Sequence, residues 1–309
     1  MKKLRYLIIT LYLLILIPWT TNAQMFKDSS LTSTSKSKFS MFHDPSYILV
    51  SNGLGNMESL IFEGNLAPYF IVGLNRDVRW GLELSPRVIM RMYNLESKPI
   101  RTPSFIPKVT FFYQLIDHKD RKRDLFMYFS WFHHSNGQDG NFYMSDSITV
   151  NTKTGSFSTN WIEGGVYLMR PDPYVPFTSN GLKLYSAYSY SQDKELDETF
   201  GRLRFFLDVQ NNVNLTKFFR IYRQSYNNKK FTMKQTFRMG WISGDLYKTK
   251  TIDSKRLILQ YTVAFKPAFL NDVTLFVQYD YGQDYYNIYY NRSLNVVRIG
   301  IASNANIFN

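Results

Sequence analysis

The sequence predicts an all-β protein, a twelve-stranded antiparallel transmembrane β-barrel. Segments of about ten residues with alternating apolar and polar side chains follow one another along most of the chain, which is typical of barrel strands. The 25 Phe, 23 Tyr and 5 Trp suit a barrel whose lipid-facing band is flanked by aromatic girdles. After the first 23 residues, no stretch approaches the roughly 20 consecutive apolar residues that a membrane-spanning helix needs.

The N-terminal segment has the pattern of a secretory signal. Lys2, Lys3 and Arg5 precede an apolar run over residues 7–19, and Ala23 provides the small residue that signal peptidase favours. The run is too short for a convincing spanning helix, and the stretch after it is rich in Ser, Thr and Lys, with little to bury. The predicted segments are a signal peptide at 1–23, a flexible N-terminal leader at 24–45 and an outer-membrane β-barrel at 46–309.

Period-two alternation marks the predicted strands. Between residues 202 and 210, for example, Leu203, Phe205 and Leu207 alternate with Arg204 and Asp208. In a membrane barrel the apolar face meets lipid and the polar face lines the lumen. An even number of strands is typical of bacterial barrels, and closure removes every exposed sheet edge. The twelve predicted strands are 46–53, 57–72, 78–93, 104–117, 123–136, 156–170, 181–192, 201–213, 231–243, 254–267, 271–282 and 294–304.

The composition limits the classes of partner. The formal charge is +13, from 37 Lys and Arg against 24 Asp and Glu, and the chain has no Cys. The lack of Cys excludes disulfides and Cys-based metal sites. A basic surface attracts anionic lipid headgroups. Basic charge is also typical of nucleic-acid binding, but the secretory signal and the barrel pattern argue against nucleic acid as a partner.

The end of the fifth predicted strand carries the candidate chemistry. Residues 125–137 read LFMYFSWFHHSNG. Because side chains two apart share one face of a strand, His133 and Ser135 lie on the same face as Phe129 and Trp131. In a barrel this apolar face meets lipid. A His and a Ser in that position are poorly explained by folding, and they make sense if the substrate is the lipid itself.

These side chains suit acyl transfer. A serine hydroxyl is a weak nucleophile until a neighbouring imidazole accepts its proton, and the imidazole needs a third group that fixes its tautomer and orientation. The next strand supplies a candidate, because Asn160 lies on the lipid side at its start, beside the end of the previous strand. Residues 138–155 would form the connecting loop. The pattern therefore predicts a catalytic set of Ser135, His133 and Asn160.

The same residues resemble a known family. The string HHSNG at 133–137, followed by SFSTN at 156–160, is similar to the H-x-S-N-G and S-x-S-x-N segments of bacterial outer-membrane phospholipase A, the phospholipase A1 family. The likeness spans most of the chain that follows the predicted signal. Three further regions look similar, namely PIR at 99–101 with Pro107, HDPSY at 43–47, and Gln278 with Gly282 followed by Asn291 and Arg292.

The resemblance implies an enzyme, a phospholipase A1/A2 that hydrolyses acyl esters of glycerophospholipids in the bacterial outer membrane. Ser135 matches the nucleophile, His133 its base and Asn160 the residue that orients the base. The family is active as a homodimer, and its active site faces the outer leaflet. Membrane phospholipid is therefore the expected substrate, and a second copy of the chain is the expected partner.

The resemblance also implies calcium as a cofactor. Ser156 matches a calcium-ligating serine, Gln138 the position that offers a main-chain carbonyl, and Ser97 the serine contributed by the other subunit. The loop departs from the family, because 25 residues separate Ser135 from Asn160, more than in typical members. Asp139 or Asp146 could therefore replace the matched ligands, since calcium prefers oxygen ligands.

Other interpretations stay open at this point. A lipid A deacylase shares the H-x-S-N string, but that family uses a Glu as the third member and has eight strands. A non-enzymatic porin-like barrel would need neither Ser135 nor His133, and a soluble secreted β-sandwich would show the same alternation. On the lumen face, we expect His134 to form hydrogen bonds and Glu163 to pair with an Arg.

Overall fold

The structure is a computed structural model that describes most of the chain between His43 and Ser303. The predicted signal peptide, the leader as far as residue 42, Pro99 and the C-terminal residues lie outside the described residues. The described ranges are 43–73, 79–97, 100–118, 123–169, 181–214, 232–244, 246, 249–266, 270 and 273–303.

The described residues are mainly β-strand, with three short 3-10 helices at 194–196, 254–256 and 287–291. Among them, no helix has the length and apolar character needed to cross a membrane. The strands are β1 (Tyr47–Gly55), β2 (Leu60–Leu66), β3 (Phe70–Gly73), β4 (Trp80–Tyr93), β5 (Ser104–His118), β6 (Arg123–Ser135), β7 (Ser158–Met169), β8 (Gly181–Gln192), β9 (Leu203–Asn214), β10 (Thr232–Ser243), β11 (Leu257–Lys266), β12 (Val273–Gln283) and β13 (Ser293–Ser303).

The sheet closes on itself. Strands β4 to β13 pair antiparallel in chain order, and β1 pairs with both β13 and β2. Strand β2 pairs with the second half of β4 and β3 with its first half. Pro68 lies between β2 and β3, and proline has no N–H for the ladder. Strands β2 and β3 therefore form one interrupted strand, and the predicted closed twelve-stranded β-barrel is confirmed.

The two faces of the barrel follow the predicted alternation. On β6, Phe129 is 51% exposed on the outer face, whereas its neighbour Ser130 is 2% exposed on the inner face. On β9, Phe205 is exposed, and Arg204 lines the lumen. The outer surface is thus apolar and the inner surface polar, as expected where the barrel exterior meets lipid.

The lumen holds a network of buried charges. Arg91 donates to Glu63 at 2.7 Å and to Asp284 at 2.7 and 2.9 Å. Arg298 donates to Glu63 at 3.0 Å and to Asp280 at 2.6 Å. Buried charges are costly unless they are paired and hydrogen-bonded. Every charge named here has a partner, so its burial is compensated. The partners lie on β2, β4, β12 and β13 and on the segment that follows β12, so the network joins these strands and fixes that segment inside the barrel.

An apolar cap covers one end of the lumen. Segments 136–157, 193–202 and 284–292 follow β6, β8 and β12, so in an alternating sheet they lie at the same end of the barrel. Their side chains pack with one another and with the ends of β4 and β5. The buried residues of this cap are Ile89, Ile106, Phe142, Phe157, Leu196, Phe200, Tyr286, Ile288, Tyr289 and Tyr290.

The first described residues, 43–45, lie inside the barrel. His43 Nδ1 lies 2.8 Å from Glu83 Oε2, and the His43 ring stacks on Tyr69 at 3.6 Å. Asp44 lies 3.6 Å from both Arg87 and Lys108. Residues 43–45, at the end of the predicted leader, therefore contact the inner wall next to β1. A cavity of about 420 Å³ lies beside them in the lumen.

Candidate active site

The pairing of β6 and β7 brings the candidate residues to one place. His133 lies directly opposite Asn160, and Ser135 opposite Ser158. The Asn136 N–H donates to the Phe157 carbonyl at 3.1 Å. Because hydrogen-bonded and non-hydrogen-bonded pairs alternate along an antiparallel ladder, the pairs at 135 and 133 are of the non-hydrogen-bonded type. In such pairs the side chains approach most closely.

His133 and Asn160 are hydrogen-bonded to each other. His133 Nδ1 lies 2.9 Å from Asn160 Oδ1. An amide oxygen only accepts, so Nδ1 carries the hydrogen in this bond and donates it. In the neutral imidazole the other nitrogen, Nε2, is then an acceptor. Both side chains are half-buried. The predicted base and the predicted orienting residue are therefore in contact, in the tautomer that leaves Nε2 able to take a proton.

Ser135 lies on the same outer face, two residues from His133. Its side chain is half-buried. Among the described residues its hydroxyl has no hydrogen-bond partner, and no bond to His133 is formed. Nucleophile–base bonds are often long in the absence of substrate and tighten in the reacting complex. The structure thus joins two of the three predicted residues directly and places the third beside them on one strand face.

Asn136 fastens the loop behind the site. Its side chain is 2% exposed. The Asn136 amide donates to the Gly155 carbonyl at 2.8 Å, and its oxygen accepts from Gln138 N–H at 3.3 Å and Phe157 N–H at 3.0 Å. The chain turns at Gly137, where φ is +66°, a region that glycine enters at little cost. Sequence reasoning gave Asn136 no role, and its place in the HHSNG string was the signal that could have found it.

An aromatic pair borders the site on the outer face. The Trp131 indole N–H donates to the Tyr190 hydroxyl across β7. The register between β7 and β8 shifts beside Asn160, because Asn160 pairs with Ser191 and Trp161 with Ser189. Tyr190 is the extra residue of this β-bulge. Bulges re-aim side chains and are common next to active sites. Sequence reasoning gave no indication of this contact, since the bulge is set by the pairing of the two strands.

The two expectations for the lumen face need correction. His134 is buried, but its Nε2 has no hydrogen-bond partner among the described residues. It packs instead against Phe157 and Trp161, at 4.9 and 6.2 Å between ring centroids. Glu163 is on the inner face as expected, yet its partner is Lys183 at 2.9 Å and not an arginine. Tyr128 also donates to Glu163, at 2.6 Å.

Two of the three expected calcium ligands lie on neighbouring segments. The N–H groups of Gln138 and Phe157 share the Asn136 oxygen, and the Ser156 N–H donates to the Gly140 carbonyl at 2.8 Å. The carbonyl of Gln138 and the hydroxyl of Ser156 are oxygen donors, the type that calcium prefers. They fit a calcium site in their chemistry, although both are neutral. Within the described ranges, no group of three His, Cys, Asp or Glu could hold a metal ion.

The remaining candidates for calcium differ in availability. Ser97 is exposed in the β4–β5 connection, and the resemblance assigns it to the calcium site of a second copy of the chain. Asp146 accepts from the N–H groups of Ile148 and Thr149 at 2.9 and 2.8 Å, and from the Thr149 hydroxyl at 2.5 Å. These bonds, above all that from the hydroxyl, lower the pKa of Asp146, and they commit its carboxylate to the turn. Asp139 is exposed next to Gln138, so it is the better placed of the two aspartates.

The fold matches solved structures of one kind of enzyme. With outer membrane phospholipase A from Escherichia coli, the TM-score is 0.55 at 12% sequence identity, over 86% of this chain and 98% of that one. The Salmonella typhi outer membrane phospholipase, a dimer with bound calcium, gives 0.55 at 13% identity, over 86% and 91%. An active-site mutant of the E. coli protein gives 0.50 at 11% identity, over 85% and 90%.

The sequence comparisons give no match. No protein-family model matches the chain, and no curated protein does. At identities of 11–13%, a structural likeness shows the fold and leaves the activity to be argued from the site. The antiparallel barrel, its twelve strand positions and its closure are what this chain shares with those solved structures. This chain has the β-barrel fold of outer membrane phospholipase A.

Proposed function

We propose that the protein is an outer-membrane phospholipase that hydrolyses the acyl esters of glycerophospholipids, at either the sn-1 or the sn-2 position. The observation that carries the proposal is the 2.9 Å hydrogen bond between His133 and Asn160 on the outer face, with Ser135 beside them. A nucleophile and a base that face lipid have an ester substrate within reach in the membrane itself. The likeness to outer membrane phospholipases supports the same substrate class.

The proposed mechanism uses the three side chains in turn. The Ser135 hydroxyl attacks the ester carbonyl, and His133 Nε2 accepts its proton as the new carbon–oxygen bond forms. Asn160 holds His133 by its Nδ1–H and keeps Nε2 directed outward. The tetrahedral intermediate collapses as His133 returns the proton to the departing lysophospholipid alkoxide. Water, activated by the same imidazole, then releases the fatty acid and frees Ser135.

Calcium and a second copy of the chain belong to the proposal. Ser156 and the Gln138 carbonyl would hold calcium in one subunit, with Ser97 from the other and Asp139 as a carboxylate alternative. When bound, calcium would supply positive charge near the oxygen on which negative charge develops. The active form would be a homodimer that buries part of the apolar outer face. The capped end of the barrel would face the outer leaflet of the bacterial outer membrane.

The apolar cap argues against the porin-like alternative. A porin needs a water-filled lumen that is open at both ends, whereas the residues of the cap fill the lumen at the end that carries the candidate site. A barrel that is closed by aromatic side chains serves as a rigid frame for chemistry on its outer wall. The cap therefore supports the proposal of an activity on the outside of the barrel.

The proposal is tested by refolding the chain from residue 24 in detergent and measuring fatty-acid release from a glycerophospholipid, with calcium and with a chelator. Wild type is compared with Ser135→Ala and His133→Asn, and the heat-modifiable mobility of a folded barrel is the control for folding. We expect calcium-dependent release that both variants abolish. Release that persists with the chelator would remove calcium from the mechanism. Folded wild type without release would overturn the proposal, and lipid A would then be the next substrate to test.

A further inference from the structure

A second serine hydroxyl lies beside the proposed nucleophile. Ser158 is the residue directly opposite Ser135 in the β6–β7 ladder. The pair is of the non-hydrogen-bonded type, for which the Cα atoms are about 4.5 Å apart and the side chains are neighbours. Ser158 also shares the outer face of β7 with Asn160, two residues further on. The two hydroxyls therefore project from adjacent strands toward the same patch of lipid-facing surface.

Asp193 holds Ser158 in place. The Ser158 N–H donates to Asp193 Oδ2 at 2.8 Å, and the Asp193 N–H donates to the Ser158 carbonyl at 3.0 Å. Both main-chain groups of Ser158 are thus satisfied on the β8 side, away from β6. This reciprocal bonding fixes the first residue of β7, which would otherwise be free to fray. The position of the Ser158 main chain relative to Ser135 is therefore set before any substrate binds.

The Ser158 hydroxyl is available for a ligand. The side chain is half-buried, and among the described residues its hydroxyl has no hydrogen-bond partner. A hydroxyl donates one hydrogen bond and rotates to direct it. On a surface that meets lipid, an unpaired hydroxyl is unfavourable. A donor that has no partner, stands on a fixed main chain and lies beside a nucleophile can stabilise charge developing in a transition state.

We infer that Ser158 is a further catalytic residue. Its hydroxyl donates a hydrogen bond to the carbonyl oxygen of the ester as that oxygen becomes an oxyanion. The inference rests on the proposed function. When the Ser135 oxygen bonds to the carbonyl carbon, the carbonyl π electrons move to its oxygen, and the Ser135 proton goes to His133. Ser158 keeps its own proton and offers it as a hydrogen bond. Its distance from the oxyanion would be about 2.7–3.1 Å, within the reach of a residue opposite Ser135.

The test compares Ser158→Ala and Ser158→Thr with wild type, in fatty-acid release from phospholipid micelles. Ser186→Ala is the matched control, because Ser186 is also a half-buried serine. It lies on the neighbouring strand β8 opposite Gly164, four residues further along β7 than Asn160. Loss of one oxyanion donor typically lowers kcat by about 100-fold. We expect that loss in Ser158→Ala with KM within a few-fold, and near-wild-type kcat in Ser158→Thr and Ser186→Ala.

The outcomes separate the inference from the proposal on which it rests. If wild type releases fatty acid and Ser158→Ala has the same kcat, the inference is overturned and the proposed function still stands. Equal loss in the Ala and Thr variants also overturns it, since Thr keeps the hydroxyl. A large rise in KM with an unchanged kcat in Ser158→Ala also overturns the inference. If folded wild type releases no fatty acid, the proposed function fails and the inference falls with it.

Discussion

Replacing Asn160 by Ala isolates the contribution of one hydrogen bond to the proposed chemistry. The substitution removes the oxygen that lies 2.9 Å from His133 Nδ1. It leaves the ladder pairing between β6 and β7 unchanged, because that pairing is made by main-chain atoms. We therefore expect a folded barrel in which the imidazole of His133 is free to rotate and to adopt the other tautomer.

The magnitude follows from the charge that develops on the imidazole. Before the reaction the bond joins two neutral groups and contributes about 1 kcal/mol. When His133 accepts the Ser135 proton, the same bond becomes charge-assisted and contributes about 1.5–3 kcal/mol. Because the pair is only half-buried, we take about 2 kcal/mol for the transition state. Because the bond is also present before the reaction, kcat falls only by the difference of about 1 kcal/mol, which is roughly five-fold, since each 1.36 kcal/mol is tenfold.

The assay is steady-state fatty-acid release from mixed micelles, with heat-modifiable mobility as the measure of folding. Asn160→Asp is the matched variant, because it keeps an oxygen acceptor at the same position, and it should retain more activity than Asn160→Ala. An Asn160→Ala barrel with wild-type kcat would show that the hydrogen bond has no part in catalysis. An Asn160→Asp variant as impaired as Asn160→Ala would refute the reasoning about the acceptor oxygen.

Three further substitutions test the surroundings of the site. Asn136→Ala should lower the free energy of unfolding by about 2 kcal/mol, because it leaves buried main-chain partners unpaired; urea titration of the refolded barrel measures this, and an unchanged midpoint would contradict it. Burial raises the pKa of Asp193, so its contribution to stability is greatest below the ordinary carboxyl pKa near 4 and is lost as pH rises through the raised value. Wild type should thus lose more stability than Asp193→Asn as pH rises from about 4 through the raised pKa, and equal losses would contradict the raised pKa. Tyr190→Phe should lower the free energy of unfolding by at most about 1 kcal/mol, because the bond between Tyr190 and Trp131 lies on the exposed outer face; a larger loss in urea titration would show that the bulge depends on that bond.

Much of the fold could be predicted because its pattern is local. Side chains alternate with a period of two along each strand, and sequential strands of the barrel pair with one another, so position in the chain gives position in the sheet. The same rule placed His133, Ser135 and Asn160 on one outer face. It required only that the end of one strand lie beside the start of the next. The family resemblance of the two short strings added roles to residues that the periodicity had already placed together.

The tertiary structure decided what depends on contacts between distant segments. The predicted strand 57–72 is interrupted at Pro68, and its two parts, β2 and β3, both pair with β4. Glu163 pairs with Lys183 because the register of β7 and β8 brings those two side chains together in the lumen. No periodicity in either strand specifies such a register.

The sequence by itself determined the barrel, its faces and the three residues of the candidate site, because strand alternation and a short motif depend on neighbours in the chain. Only the tertiary structure showed that Asn136 fastens the loop behind Ser135 and that Asp193 holds the main chain of Ser158 opposite Ser135. It also showed that three connecting segments meet to cap the lumen. The physical reason is that these hydrogen bonds and apolar contacts link segments whose approach follows from closure of the sheet, and closure is a property of the whole barrel.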